Sequence, residues 1–516
     1  MSTRTAASPA RGIALSGQTL RLWGTLLLVA GAAVVAARIS TIGFVAMAAL
    51  LLVVFTYVAF HASREMLTIV VLVPLVDRYF TRQLVPDDLQ LLANSVSEGL
   101  LLILAFVILA RSRHTGRIVL ALRHPMTLLM AAFVAVAVTS WLVNGVSVEV
   151  AGLGIEFTID AFVAFFLVRV VGFDELQGER AAMAFVGVAL VAGFLSLGQI
   201  VLTPDFLGLT TWEGRFGEGM RPGSIFIGQP NLLGAVLALA VPFAGLAVAQ
   251  LDVDRRLRLA GLAASLALGV AIVFTFSRGT WAALAISLLL VGLVLGRRTL
   301  VTSAALGALA LAIALILPRG ILLPPDSKWA FDLGNATFGR LGPLGEGKDL
   351  RFQFIENAIP IIEDHPILGT GPGTYGGGVA SHYGSPNYSQ YTSGAVPTGR
   401  TVDNYWLHVT VEFGLVGAAL LVGMLALAVF ELLRAARRSA GSRRILLGGI
   451  AAMIVILGAT SATEMLLEGN TTSILLWFFI GIGSLLAAPS LRKPEADPVA
   501  EPAAPAPTPD PEPAAV

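Results

Sequence analysis

The chain has 516 residues, of which 56% are hydrophobic and only 13% are charged, and its formal net charge is +1. A soluble domain carries about 25% charged residues, so a chain this apolar could not cover its surface with polar groups. The composition excludes a soluble enzyme, a disordered chain and a nucleic-acid-binding protein, and it indicates a polytopic helical membrane protein.

Apolar segments recur along most of the chain. A helix crosses the hydrocarbon layer in about 17–25 residues. We therefore expect an all-α polytopic fold with about 12–14 transmembrane helices, the first and third segments being the shortest. The candidate spans are 22–37, 41–60, 65–77, 91–110, 126–143, 154–171, 181–203, 224–249, 258–276, 280–296, 299–317, 403–431, 445–463 and 472–488.

These spans divide the chain into five parts. Residues 1–21 precede the first helix, and residues 22–317 hold the first and larger set of transmembrane helices. Residues 318–402 form one long loop before the third-last helix, and loops of this length are usually functional or disordered. Residues 403–488 hold the last three helices. Residues 489–516 are rich in Pro and Ala, cannot bury a core and are expected to be disordered.

The basic residues of the short loops set the orientation. Most Lys and Arg fall on the cytoplasmic side when the N-terminus is placed there, including the clusters within 111–123, 255–258 and 434–444. The tail at 489–516 is then cytoplasmic, and the loop at 318–402 is extracytoplasmic.

A few arginines lie on the outer side, against this trend. Arg278 occupies the turn between two apolar spans. Arg351 lies in a predicted amphipathic helix that ends near Pro360, and Arg221, with Arg215 nearby, precedes the eighth span. Arg278 is either an interfacial arginine that reaches the headgroups or a ligand for an anion, since a guanidinium binds phosphate with two parallel hydrogen bonds.

Two further features allow a structural interpretation. Asn231 follows Pro230 at the start of the eighth span, where it either caps the backbone or contacts a substrate. The glycine-rich segment 365–373 lacks the Lys-Ser/Thr of a nucleotide loop, so it predicts a tight backbone turn. We interpret His365, which precedes a proline, as structural rather than catalytic.

Polar residues also mark the start of the third-last span. In a helix, Asn404, His408 and Glu412 share one face, with Asp403 at the helix mouth. Ionisable groups at membrane depth face an interior cavity or one another, which makes them functional candidates. The alternative is that His408 and Glu412 form a buried pair that locks helices together.

Outward arginines and a carboxylate at a helix mouth suit one kind of substrate. Arginines hold and stabilise a diphosphate while a base deprotonates a nucleophile. A lipid-linked diphosphate has its chain in the bilayer and its head outside, so it would reach such a site.

These segments resemble the O-antigen ligase and O-antigen polymerase superfamily of bacterial membrane proteins over about residues 210–430. Ser277-Arg278-Gly279, with Trp281, is similar to the family's Ser-Arg-Gly/Ala-x-Trp segment. Arg351 ahead of residues 366–373 is similar to its outer-loop arginine and Pro-Leu-x-Gly-x-Gly-Pro-Gly turn, and Pro230-Asn231 is similar to its Pro-Asn.

The last motif departs from the family at one position. The family's ligases carry a histidine followed by Asn, Ser or Gln, then nine residues, then Gly-x-x-Gly. Here Asp403 and Asn404 are followed by nine residues and then by 414–417, which read Gly-Leu-Val-Gly. The spacing matches, but an aspartate occupies the position of the histidine.

The resemblance implies a GT-C-type inverting membrane glycosyltransferase that needs no metal, nucleotide or other cofactor. The implied donor is a glycan on undecaprenyl diphosphate. The implied acceptor is a saccharide or a lipid-linked saccharide, on the outer side of the bacterial cytoplasmic membrane. It makes Arg278 and Arg351 diphosphate ligands, Arg221 a third, and Asp403 the base. The supporting residues are Asn404, Glu412, Asn231 and Arg215.

Several alternatives stay open. Asp403 is the base, as an acidic residue is thought to be in the similar SEDS peptidoglycan polymerases, or it orients the sugar and His408 is the base. A ligase and a polysaccharide polymerase fit equally well. The alternative from another class is a polysaccharide-lipid transporter or flippase, which Glu156, Asp160 and Arg169 in the sixth span would support.

Overall fold

The computed structural model describes most of the membrane-embedded chain. The described residues are 41–76, 96–111, 115–202, 206–209, 211–213, 220–226, 229–316, 350–384, 402–468 and 472–488. The predicted span at 22–37 and the segments 1–21 and 489–516 lie outside them.

Helices make up nearly all of the described structure. The helices before residue 202 are α1 (Thr41–His61), α2 (Ser63–Leu72), α3 (Val96–Ala110), α4 (Thr115–Leu122), α5 (Pro125–Asn144), α6 (Val148–Val171) and α7 (Glu175–Val201). The next four are α8 (Pro230–Ala249), α9 (Arg255–Phe274), α10 (Arg278–Leu295) and α11 (Arg297–Ile316). The last five are α12 (Leu350–Asp364), α13 (Gly377–Tyr383), α14 (Tyr405–Arg437), α15 (Gly441–Thr460) and α16 (Thr472–Ala487).

The all-α polytopic fold is confirmed. Among the described residues, 9 helices are long and apolar enough to cross a membrane, namely α5–α11, α14 and α15. Shorter apolar helices occur at Ala49–His61, Gly99–Ala110 and Thr472–Ala487. Lipid tails offer no hydrogen-bond partners to backbone N–H and C=O groups. A helix satisfies these groups within the span itself, which is why the spans are helical.

The prediction of a spanning helix at 65–77 is wrong. Helix α2 has only 10 residues and passes into a 3-10 turn at Val73–Leu75. Pro74 lies in that turn and has no N–H to continue the helical ladder. An apolar run of this length is too short to cross the hydrocarbon.

Helix α8 lies at the centre of the bundle. Nearly all of its residues are buried, and it packs against α9, α15, α7 and α11. Helix α16 packs on α6, while α14 packs on α15 and α5. The N-terminus of α8 and the N-terminus of α14 both reach the same end of the bundle, where the candidate site lies.

Two helix boundaries differ from the predictions. Helix α8 begins at Pro230 rather than at 224, because residues 224–226 form a 3-10 turn in which Ser224 has φ +46°. Helix α12 does not end near Pro360 but continues to Asp364. Its buried Phe354, Ala358 and Ile361 pack against Tyr375 and Val411, and this packing holds the helix together across the hydrogen bond that Pro360 cannot make.

The described part of the long loop predicted at 318–402 folds onto the bundle. Residues 350–384 form α12, a glycine-rich turn and α13, and α12 packs on α14. On the same side, two short strands, β1 (Thr211–Glu213) and β2 (Met220–Pro222), pair antiparallel. Both segments thus cover the end of the bundle at which α8 and α14 begin.

Candidate active site

The N-terminus of α14 carries the predicted base. Asn404 is the N-cap, and its Oδ1 accepts hydrogen bonds from the backbone N–H groups of Trp406 and Leu407, both at 3.1 Å. Asp403 precedes the cap, and its side chain is partly exposed. The Asn404 amide is therefore engaged in capping the helix, and the Asp403 carboxylate lies at the mouth of the same helix.

Helix α14 is broken at Gly414, ten positions after Asn404. Gly414 has φ +68° and ψ −176°, which only glycine adopts without strain. Residues 366–371 lie alongside the break. Their backbone is hydrogen-bonded to that of α14. The Leu415 N–H donates to the Pro366 carbonyl at 2.8 Å. The N–H groups of Thr370 and Gly371 donate to the carbonyls of Val411 and Glu412, at 2.8 and 3.0 Å. The predicted turn is thus hydrogen-bonded to the backbone of α14 on both sides of the break.

His408 and Glu412 form hydrogen bonds with the backbone of the next part of that turn. The fully buried Glu412 carboxylate accepts the N–H of Gly373 at Oε2 and that of Tyr375 at Oε1, both at 2.8 Å. His408, only 3% exposed, bonds the Tyr375 carbonyl through Nδ1 at 2.5 Å. A carbonyl only accepts, so Nδ1 carries the proton in this bond. The described contacts of both side chains fix the backbone of residues 373–375, and we call this pair of side chains the clamp.

Side chains of the turn and of other elements form further hydrogen bonds that hold the clamped turn. Helix α5 contributes Asn144, whose Nδ2 donates to the Gly369 carbonyl at 3.0 Å. The Tyr375 hydroxyl donates to the Phe354 carbonyl of α12 at 3.1 Å. Burial raises the pKa of the Tyr375 phenol well above its ordinary value, which keeps this donor protonated. The turn is therefore fixed by α5, α12 and α14 together.

Arg221 lies in a buried polar network at the same end of the bundle. It is 3% exposed, and its Nε donates to the Thr275 carbonyl at 2.8 Å. One terminal nitrogen donates to Asn231 Oδ1 at 2.6 Å, and Asn231 Nδ2 in turn donates to Glu464 Oε1 at 2.5 Å. Arg221 and Asn231, both predicted site residues, thus contact each other, and a carboxylate that the sequence analysis did not identify completes the network.

The turn between α9 and α10 presents Arg278. Phe276 has φ +54°, a left-handed conformation that reverses the chain within two residues. The Ser277 and Thr280 hydroxyls lie 2.8 Å apart, and the Trp281 indole donates to the Ile272 carbonyl at 3.0 Å. These contacts fix the first turn of α10, and Arg278 is its first residue, partly exposed at the helix mouth.

The segment 461–468, between α15 and α16, joins the two groups of candidate residues. Its contacts run to four elements: the Ser461 carbonyl accepts the Tyr405 N–H at 2.9 Å, Thr463 lies against Gly279, Glu464 bonds Asn231, and Glu468 accepts the Gly378 N–H at 2.9 Å. Two residues span at most ~7 Å of chain, so the mouths of α10 and α14 are adjacent.

Two predicted site residues are placed only in part or not at all. Arg351 is the second residue of α12, one helical turn before Phe354, whose carbonyl receives the Tyr375 hydroxyl. Its backbone therefore lies beside the clamped turn. Arg215 lies outside the described residues.

Glu464 and Glu468 were missed because neither lies in a motif. The available signal was their composition: they are two carboxylates in a short outer segment of a chain that is only 13% charged. Their partners, Asn231 and Gly378, are 233 and 90 residues away along the chain. Helical periodicity carries no information about contacts at that separation.

Comparison with known proteins identifies the central part of the chain. Residues 263–422 match the family model described as O-antigen ligase. The match covers α9 to the middle of α14 and includes Arg278, Asp403 and the clamp at Glu412. No curated protein matches the chain. The resemblance drawn from the motifs to the O-antigen ligase family is thus confirmed over residues 263–422.

Proposed function

We propose that this membrane protein transfers a glycan from an undecaprenyl-diphosphate-linked donor to a saccharide or lipid-linked saccharide acceptor. The O-antigen ligase family supports a role in glycan transfer or ligation in general. The finer proposal rests on the end of the bundle where α10 and α14 begin. The observation that supports it is the segment 461–468, which contacts the first residues of both α10 and α14, so that the two helix mouths that carry Arg278 and Asp403 are neighbours.

The proposed reaction is one displacement at the anomeric carbon of the donor sugar. The acceptor hydroxyl oxygen attacks this carbon, and its proton passes to the Asp403 carboxylate. The bond between the anomeric carbon and the diphosphate oxygen breaks, and undecaprenyl diphosphate leaves with the bonding electrons. A single displacement inverts the configuration at the anomeric carbon.

The arginines act on the leaving group. Negative charge grows on the diphosphate as the bond breaks, and a preorganised guanidinium stabilises that charge more than it stabilises the bound donor. Arg278 has this role at the mouth of α10, together with Arg351, while Arg215 is a supporting residue. Arg221, held by Thr275 and Asn231, adds positive charge from beneath.

The charge distribution supports a location in the bacterial cytoplasmic membrane with the site on the outer side. The arginine-rich segments 255–258, 297–298 and 434–444 lie at the ends of α9, α11, α14 and α15 that are opposite the site. Basic loop residues stay on the cytoplasmic side. The diphosphate head of a lipid-linked donor would then meet the site at the outer surface.

Arg278→Ala is expected to lower glycan transfer by about 100-fold or more, while Arg278→Lys keeps part of the activity because a lysine retains the charge but not the paired hydrogen bonds. The assay is transfer from purified lipid-linked glycan to acceptor by protein in proteoliposomes. Arg297→Ala, which removes an exposed arginine just beyond the opposite end of α10, is the matched control. Unchanged transfer by Arg278→Ala would contradict the proposal.

The product of the same assay separates the remaining alternatives. Single transfers onto a foreign acceptor indicate a ligase, whereas ladders of lengthening chains on undecaprenyl diphosphate indicate a polymerase. Movement of intact donor across a vesicle membrane, without any transfer, would instead establish the flippase.

His408→Asn is expected to keep most of the transfer activity, because the Asn Nδ2 can donate to the Tyr375 carbonyl as the imidazole Nδ1 does. His408→Ala should lower both activity and thermal stability, since it leaves a buried carbonyl without its donor. Activity and melting temperature are measured on the same purified samples. If His408→Asn folds normally but is as inactive as an Asp403 variant, then His408 is the base and the clamp interpretation fails.

A further inference from the structure

A polar cavity of about 490 Å³ lies at the opposite end of the bundle from the candidate active site. Its lining includes His61, Arg64 and Glu65 at the α1–α2 junction, Arg117 of α4 and Val171 at the end of α6. The start of α6 packs against the glycine-rich turn at Gly373. Because α6 is 24 residues long, about 36 Å separates the two ends. The cavity therefore lies at the other membrane surface.

The cavity carries an excess of positive charge. Arg64 and Arg117 line it against one carboxylate, that of Glu65. The His61 imidazole also lines it, with its Nδ1 bonded to the Tyr57 carbonyl at 2.8 Å. Arg111 lies behind the wall, where it donates to the Phe60 carbonyl and stacks over the Phe60 ring at 4.5 Å. A cavity of this charge at a membrane surface suits an anionic group such as a phosphate.

The walls of the cavity are anchored to three helices. Arg117 NH1 donates to the Val171 carbonyl at 2.5 Å, which ties α4 to the end of α6. Gln177 of α7 also lines the cavity, and its Oε1 accepts the Asp174 N–H at 3.0 Å. The Asp174 carboxylate accepts the Gln177 N–H in return, so it is engaged in capping α7. The lining groups are thus held in place by the fold.

A shallow, open apolar groove of about 530 Å³ on the surface of α1 begins where the cavity ends. Its lining on α1 includes Val53, Tyr57 and Phe60, which are 65%, 58% and 49% exposed, and it shares His61 with the cavity. These residues follow helical spacing, so the groove runs along one face of α1 from the membrane surface toward the hydrocarbon. A charged pocket that continues into an apolar groove has the two parts of an amphiphile-binding site.

We propose that the cavity and the groove together bind one anionic phospholipid, with its phosphate at Arg64 and Arg117 and an acyl chain along α1. The basic loops at this surface place it in the inner leaflet under the proposed orientation, where anionic lipids are available to it. The site is distinct from the proposed donor site and uses none of its residues.

The experiment is native mass spectrometry of the full-length protein with added phosphatidylglycerol, and with phosphatidylcholine as the zwitterionic comparison. We expect phosphatidylglycerol to be retained preferentially, and Arg64→Gln to weaken its binding by about tenfold or more. Arg117→Gln gives a second, independent variant. The double variant Arg297→Gln, Arg298→Gln removes two exposed arginines at the same surface and should bind as the wild type does.

Two further arms test the groove and the source of the phosphate. Affinity should rise with acyl length when phosphatidylglycerols with six-carbon and sixteen-carbon chains are compared, because a longer chain contacts more of the apolar face of α1. Glycerol 3-phosphate, which has no chain, should compete only weakly. Wild-type affinity in both Arg64→Gln and Arg117→Gln would overturn the proposal. So would glycerol 3-phosphate binding as tightly as the lipid, which would assign the cavity to a soluble phosphate ester.

Discussion

Asp403→Asn is expected to lower the rate of glycan transfer by about 100- to 10,000-fold while the protein still folds and inserts. The amide has the shape of the carboxylate but cannot accept the proton of the attacking hydroxyl. The capping bonds at the start of α14 come from Asn404, so the substitution leaves the helix terminus intact. The measurement is the initial rate in proteoliposomes at saturating donor and acceptor, with the melting temperature of the same sample.

Two companion variants make this result specific to Asp403. Asp403→Glu retains a carboxylate and should keep a measurable rate. Glu363→Gln removes an exposed carboxylate near the end of α12, on the same side of the membrane, and should transfer at the wild-type rate. An Asp403→Asn protein with nearly normal activity would exclude Asp403 as the base and return His408 to that position.

Hydropathy alone was sufficient to predict most of the bundle. The span predicted at 126–143 is α5, Pro125–Asn144, and the span at 299–317 is α11, Arg297–Ile316. Agreement is this close because bilayer thickness fixes the length of an apolar helix. The exceptions have local causes: Pro74 ends α2 early, and packing carries α12 through Pro360.

The contacts within the site could be predicted only in part. Helical periodicity correctly placed His408 and Glu412 on one face, where their side chains lie 3.6 Å apart. It could not reveal that Glu412 binds backbone N–H groups of Gly373 and Tyr375, because a turn in a loop has no periodicity that encodes its partner. The Glu464 contact with Asn231 was hidden for the same reason.

Gly414→Ala is expected to be the most destabilising of these substitutions. A Cβ there would overlap the backbone carbonyl of Ile367 and the nitrogen of Leu368, and neither backbone group can move without breaking the turn. The positive φ adds about 1–2 kcal/mol for a residue with a side chain. We expect a total loss of at least about 4 kcal/mol, the range that marks severe core defects.

The same helix offers a matched control in Gly423, which lies further along α14 in regular helix. A methyl group added at Gly423 would have no atom within 4 Å other than those of its chain neighbours and of the helix's own nearby backbone. Gly423→Ala should be neutral or slightly stabilising, since alanine is the better helix former by about 0.5–1 kcal/mol. Melting temperatures of the detergent-solubilised proteins compare the two variants. Equal stability would mean that the turn at 366–371 is not held against the helix break. A large difference would explain why this motif needs glycine. The turn packs against the break in α14, and the His408–Glu412 clamp depends on the position of that turn.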